Sequence, residues 1–235
     1  MMPAAAPSPF QLNPAARLHI ETIAGIGQII VIDEFYADPD AVRALALQGV
    51  YDSSLAYYPG VHSTIPKAEL APLFGQLAAI VNAMSGPVCV ADAFVSDFSF
   101  VTTPAEQMLA LQKHPHTDGL PLAGVCYLSP QLTIGTSYFR HIPTGLALLR
   151  TPEDNECYHG WLAEHGDATQ PTSYAVADAS TWEQLHTLEG RYNRMVMYPG
   201  NLFHSIAMVD VAPELTLDTA RLTQRFFVTT LLPTA

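Results

Sequence analysis

His116-Thr117-Asp118 is an HxD triplet. On an extended segment, positions i and i+2 project to the same face, so one imidazole and one carboxylate can meet one metal ion. The same spelling recurs at His165-Gly166-Asp167. That second copy lies in a polar stretch with no apolar strand directly after it, and reads as a surface loop. His116 and Asp118 instead stand just before GVCYLS (124–129), which reads as a buried strand. His204 sits inside another apolar run, LFHSIAM. Alone it reads as a core histidine bonded to a backbone carbonyl. With His116 and Asp118 it completes two imidazoles and a carboxylate. His114, two residues before His116, could mimic it, but only His116 makes the HxD spacing.

Arg225 lies in RFFVTTLL, an otherwise apolar run. A buried guanidinium needs an anionic partner, because an unpaired buried charge is very costly. Pro213 and Glu214 lie in the connection before it. A hairpin centred near 214–215 would set His204 opposite Arg225 as cross-strand neighbours. Two histidines and one carboxylate form the facial triad of non-haem Fe(II) sites, with positions left open for a co-substrate and O2. An adjacent arginine suits a bidentate grip on a distal carboxylate. An acid that chelates iron at one end and is gripped at the other matches 2-oxoglutarate.

The elements that must place these residues follow from pattern. Residues 1–17 are rich in Pro and Ala and read as a loose arm. QIIVID (28–33) reads as a buried strand. Asp38 is a candidate cap for a helix with Pro39 in its first turn and Gly49 just past its end. YYPGVHSTIP (57–66) reads as a loop, in which Tyr57, Tyr58 and His62 could form a lid. Lys67 to Met84 reads as a second amphipathic helix. From residue 88 the character changes to short strands: 90–103, 124–129, 134–142, 146–150, 194–200, 202–210 and 221–232. The polar stretch 152–190 is an insertion, with helices expected near 153–164 and 180–188. Helices followed by many strands predict a mainly β fold, a jelly roll with supporting N-terminal helices, as one domain over 1–235.

Composition excludes several classes. The 235 residues are 49% apolar and 14% charged, too apolar for a disordered chain. Ten basic residues face 22 acidic ones, for a net charge of −12, so nothing supplies the basic footprint of a nucleic-acid binder. Cys89, Cys126 and Cys157 are odd in number and lack zinc-finger spacing. They read as reduced thiols in a cytoplasmic protein. The start has no signal-peptide pattern, and no apolar run is long enough to span a membrane.

HTD at 116–118, His204, and Arg225 in a strand near the C-terminus resemble the Fe(II)/2-oxoglutarate dioxygenase superfamily, closest to its prolyl-4-hydroxylase-like branch. IIVIDEFYADPDAVRALAL resembles that branch's opening strand and helix. VTTPAEQMLALQKHPHTD, GTSYFRH and YNRMVMYPGNLFHS resemble an uncharacterised subfamily. The likeness runs from about 28 to 232. It implies a double-stranded β-helix, iron held by His116, Asp118 and His204, and the C5 carboxylate of 2-oxoglutarate on Arg225. Family members often bind the co-substrate with a Tyr on the strand after HxD; here Cys126 and Tyr127 are both candidates. Many have Ser or Thr two residues after the Arg, where this chain has Phe227. The separation from His204 is longer than usual, which keeps Arg221, on the same strand face, as the alternative anchor. Arg140 and His141 are candidates for the substrate mouth; Asn193 and Arg194 read as structural. The retained carboxylate implies oxidation rather than halogenation. The substrate is expected to be a small molecule or peptide. The competing readings are a non-catalytic jelly-roll module and a cupin-like isomerase or hydrolase.

Overall fold

A computed structural model describes residues 8–53, 58–84, 88–165, 181–207 and 219–233. Its strands are β1 (Arg17–Ile23), β2 (Gly27–Asp33), β3 (Gly60–Thr64), β4 (Phe94–Val101), β5 (Leu122–Tyr127), β6 (Thr136–His141), β7 (Trp182–Leu188), β8 (Met195–Pro199), β9 (His204–Ile206) and β10 (Arg221–Val228). Its helices are α1 (Pro39–Leu47), α2 (Lys67–Ala83), α3 (Ala110–Lys113) and α4 (Pro152–His165). Seven strands form one sheet in the order β1-β2-β8-β5-β10-β4-β3, and three form a second in the order β7-β6-β9. All the strand pairs are antiparallel. The two sheets make an open jelly roll, and the mainly β fold with N-terminal helices is as expected.

Strand alternation divides the core. One face of the large sheet carries Ile30, Phe94, Phe98, Leu222 and Phe226, packed against Val42 of α1 and Leu70, Leu73, Phe74 and Leu77 of α2. The other face carries Ile29, Val31, Tyr127 and Val196, packed against Tyr138 and Leu188 of the small sheet. The outer face of the small sheet is covered by α4 through Tyr158, which packs with Phe139, Trp182 and Phe203. Burying each such side chain contributes roughly 1.5–3 kcal/mol.

Local signals hold where they are explicit. Asp38 caps α1, its carboxylate accepting from the Ala41 amide at 3.0 Å, with Pro39 as first residue. Asn193 and Arg194 are structural. Asn193 takes φ 63° and bonds both backbone groups of Tyr36, while Arg194 forms a two-pronged ion pair with Asp33 at 2.6 and 3.0 Å. The three cysteines are free.

Other expectations are corrected. The part of the N-terminal arm within the described residues is docked, not loose. Phe10 is buried against Tyr36 and Phe98, and Leu12 bridges Tyr36. β1 forms where no strand was expected; Leu18 and Ile20 alternate with polar residues but stay exposed, and Ile23 is its only buried residue, so backbone pairing with β2 holds it. The expected loop at 57–66 contains β3; its backbone completes the large sheet beside β4 despite the flanking prolines. The second insertion helix is instead β7, whose Trp182 and Leu188 reach the core while its backbone pairs with β6. Residues 146–150 make only isolated bridges. The hairpin between His204 and Arg225 does not form: β9 joins β6 in the small sheet, whereas β10 lies between β4 and β5 in the large one. No helix among the described residues is long and apolar enough to cross a membrane.

The docked Phe10 gives a stability test. Phe10→Ala should cost about 3–5 kcal/mol in chemical denaturation, as buried phenylalanines do. A loss below about 1 kcal/mol would mean that the segment is not part of the core.

Candidate active site

The three candidate ligand residues come from two chain segments held together by backbone hydrogen bonds. His116 and His204 exchange both of theirs, each amide donating to the other's carbonyl at 2.9 Å. Two residues on, the Asp118 amide donates to the Gly200 carbonyl at 2.7 Å. This close approach depends on Gly200, where an added Cβ would meet the Leu120 carbonyl oxygen at 2.4 Å. Gly119, at φ 66°, then turns the chain away from Asp118 toward β5.

The result is one cluster. Among the described residues, His116, Asp118 and His204 are the group whose ligand atoms lie within 4.8 Å of one another. His204 Nε2 is 3.5 Å from Asp118 Oδ2. That carboxylate oxygen is buried without a hydrogen-bond partner, the condition a metal ion would relieve. The His204 Nδ1–H donates to the Leu202 carbonyl at 2.8 Å, which leaves the Nε2 lone pair free to ligate. The His116 ring bonds to the backbone of His114. His116 is open to the pocket on one face, yet the protein packed around it and the neighbouring His204 hold its pKa down to about 4. It is therefore neutral, as a ligand must be. Two imidazoles and a carboxylate fit Fe(II).

His165 is at the exposed end of α4, bonded to the Trp161 carbonyl, and takes no part; Asp167 lies outside the described residues. His114 is buried and outside the cluster. Arg140 and His141 are not at the mouth. Arg140 pairs with Glu183 at 2.7 Å, and His141 is buried among Tyr158, Trp161 and Trp182.

The cluster opens into a pocket between the sheets, which Tyr58, Thr136 and Tyr198 also line. β10 lines it with alternate residues, Arg221, Thr223, Arg225 and Phe227. The two arginines are held differently. Arg225 lies directly opposite Asp97 and pairs with it through Nε at 2.8 Å and Nη2 at 2.5 Å. Arg221 donates to two backbone carbonyls, those of Ile134 and Gly135, each at 3.2 Å. No carboxylate among the described residues pairs with it, although it is buried. A buried cation with carbonyl partners alone is an anion site in waiting.

Tyr127 faces this side. Its hydroxyl bonds with that of Thr136 at 2.8 Å, and its ring lies 5.4 Å from the Arg221 guanidinium carbon. Cys126 is corrected as a co-substrate contact: the next residue on a strand points the other way, into the helix-packed core. Of the expected lid residues, Tyr57 lies outside the described residues. Tyr58 lines the pocket, and His62 accepts a hydrogen bond from Arg225. Sequence reading missed Asp97, Thr136 and Thr223. A lone carboxylate in the apolar alternation FVSDFSFV was the one available signal for Asp97.

The family described as "Family of unknown function (DUF6445)" matches residues 14–228. No curated protein matches the chain. It is similar to the solved structure of HygX from Streptomyces hygroscopicus with nickel and 2-oxoglutarate bound. The identity is 15%, the TM-score 0.49, and the match covers 91% of this chain and 84% of that one. It is also similar to SnoN, a non-heme alpha ketoglutarate dependent epimerase from nogalamycin biosynthesis (13% identity, TM-score 0.44, 86% and 78% covered). A third is the Fe(II)/(alpha)ketoglutarate-dependent dioxygenase TqaL (12% identity, TM-score 0.40, 84% and 79% covered).

Ala substitution of His116, Asp118 or His204 should lower Fe(II) affinity by about tenfold or more, measured by equilibrium dialysis, while His165→Ala should leave it unchanged. Equal loss from His165→Ala would overturn the assignment. A second expectation concerns pH. Burial, followed by the charge of Arg225, lowers the His62 pKa from 6.5 to about 4, against an opposing pull from Asp97. Between those values the unfolded chain takes up a proton that the native protein does not, so stability should fall as pH drops from about 6.5 to about 4. His62→Gln should make that decline shallower in metal-free denaturation curves.

Proposed function

The chain belongs to DUF6445, a family of unknown function, and we propose that it is an Fe(II)- and 2-oxoglutarate-dependent oxygenase, a hydroxylase in its simplest form. One observation carries the reading. The pocket that holds two histidines and a carboxylate around an unsatisfied oxygen also holds a buried guanidinium with no anionic partner among the described residues. When bound, iron and 2-oxoglutarate supply O2 activation coupled to oxidative decarboxylation, and that chemistry is the cofactor's own.

The protein's residues divide the remaining work. His116, Asp118 and His204 hold the metal. Arg221 takes the far carboxylate of 2-oxoglutarate through its unused Nη1, with Thr223 beside it on the same strand face. The Ser or Thr two residues after the arginine, absent after Arg225, is thus present after Arg221. Register supports the distance. His204 pairs with Tyr138, and Thr136, two residues along β6 and level with the carbonyls that Arg221 bonds, lines the pocket. Two residues of strand span roughly 7 Å, the scale of a short dicarboxylate. Arg225, by contrast, already has its carboxylate in Asp97. Asp118 fills the position that a halide would need, so the substrate is oxidised rather than halogenated. Placement in the prolyl-4-hydroxylase-like branch and a small-molecule or peptide substrate belong to the same proposal. The three free cysteines support a reducing, cytoplasmic setting.

Anaerobic titration of the Fe(II) protein with 2-oxoglutarate, followed by absorption spectroscopy, tests the reading. Wild type should bind. Arg221→Lys keeps the charge but loses the planar fork, and should raise the Kd about tenfold with Fe(II) affinity unchanged. Absence of binding to wild type would refute the function. Loss in Arg225→Lys with none in Arg221→Lys would move the anchor to Arg225.

A further inference from the structure

With Arg221 committed to the co-substrate, Arg225 remains on the same pocket face with no role in it, yet it is closely held. Nε and Nη2 engage Asp97, and Nη2 also donates to His62 Nδ1 at 2.8 Å. The guanidinium carbon lies 4.9 Å from the centre of the Tyr58 ring and 5.3 Å from that of Phe227. Nη1 has no partner among the described residues and is not sealed from the pocket. An arginine fixed on one edge and flanked by two rings presents its remaining N–H groups in one direction. The Tyr58 hydroxyl, also buried, is likewise without a partner. Two unsatisfied polar groups therefore sit at one corner of the pocket, among the apolar walls of Val125, Ile206 and Phe227.

The corner lies on the metal's side of the co-substrate. Arg225 is four residues along β10 from Arg221, roughly 13 Å, and its charge reaches His116 and Asp118. Asp97 offsets the charge of Arg225 at long range without occupying Nη1, so what remains is a directional donor. Beside two arginines, a cationic ligand group is disfavoured.

We propose that the corner formed by Arg225, Tyr58 and Phe227 is the primary-substrate subsite, and that it takes a small apolar carboxylic acid. The carboxylate accepts hydrogen bonds from Arg225 Nη1 and the Tyr58 hydroxyl, and the apolar body lies along Phe227 toward the metal. Asp97 and His62 are positioning residues that aim the arginine. The inference rests on the oxygenase reading above.

The test uses full-length protein loaded with Ni(II) and 2-oxoglutarate, which does not turn over. Phenylacetate, phenylacetamide and phenethylamine are titrated by calorimetry and ligand-observed NMR. Phenylacetate should bind most tightly and phenethylamine not detectably. Arg225→Gln should weaken phenylacetate about tenfold or more, the scale of a lost charge-assisted hydrogen bond, while 2-oxoglutarate affinity stays within about twofold. Tyr58→Phe, which removes one oxygen and leaves the ion pair intact, should give a smaller loss in the same direction and an unchanged Tm. The proposal is overturned if wild type does not bind phenylacetate, if the amine binds as well as the acid, or if neither variant weakens the acid. It is also overturned if Arg225→Gln abolishes 2-oxoglutarate binding, which would make Arg225 the co-substrate anchor. In the first three outcomes retained 2-oxoglutarate binding leaves the oxygenase reading standing; its loss from wild type refutes that reading itself.

Discussion

The reciprocal backbone hydrogen bonds between His116 and His204 are the constraint on which the site depends. They fix two side chains, 88 positions apart in sequence, as cross-strand neighbours with ring centres 4.5 Å apart. Asp118, two residues on, is held by a separate bond from its amide to the Gly200 carbonyl. A metal site assembled by side chains alone would have to order three flexible groups at binding. Here the backbone has already ordered them, and the unsatisfied Asp118 oxygen is the residual cost. The jelly roll supports this staple from both sides: β9 is held by β6, while β5 leads away from the HTD segment into the centre of the large sheet.

Electrostatics then grade the pocket. Two arginines on one strand face would repel one another and burden the fold if both were left uncompensated. The protein resolves this unequally. Asp97 pairs with Arg225, whereas Arg221 has, among the described residues, backbone carbonyls that accept its hydrogen bonds without cancelling its charge. Arg221 therefore keeps its whole charge toward the pocket, while Arg225, held by Asp97 through Nε and Nη2, keeps a directional, charge-assisted donor at Nη1. Neutral His62, whose Nδ1 accepts from Arg225, adds no third positive charge.

Much of this was legible in the sequence, for physical reasons. The HTD triplet, His204 and Arg225 were conspicuous because a polar residue in an apolar strand must have a use. The Asp38 cap and the apolar runs of β2, β5, β8 and β10 were explicit. Pairing was not legible. Side-chain pattern marks which face of a strand is buried but not which strand lies beside it, so the expected hairpin joined β9 to β10 when they belong to different sheets. β1 was hidden because most of its residues are exposed, and β3 because the side chains it buries, His62 and Ser63, are polar; both are held by backbone bonds. The different surroundings of Arg225 and Arg221 were hidden as well, because Asp97 comes opposite Arg225 only through the β4–β10 register.

The two faces of β10 carry separate responsibilities. Leu222, Phe226 and Val228 point into the helix-packed core, and Gln224 bonds the Tyr36 hydroxyl at 2.6 Å. Their neighbours Arg221, Thr223, Arg225 and Phe227 point into the pocket. Changes at odd-numbered positions thus act on the wall of the pocket, and changes at even-numbered ones on the core beneath the helices.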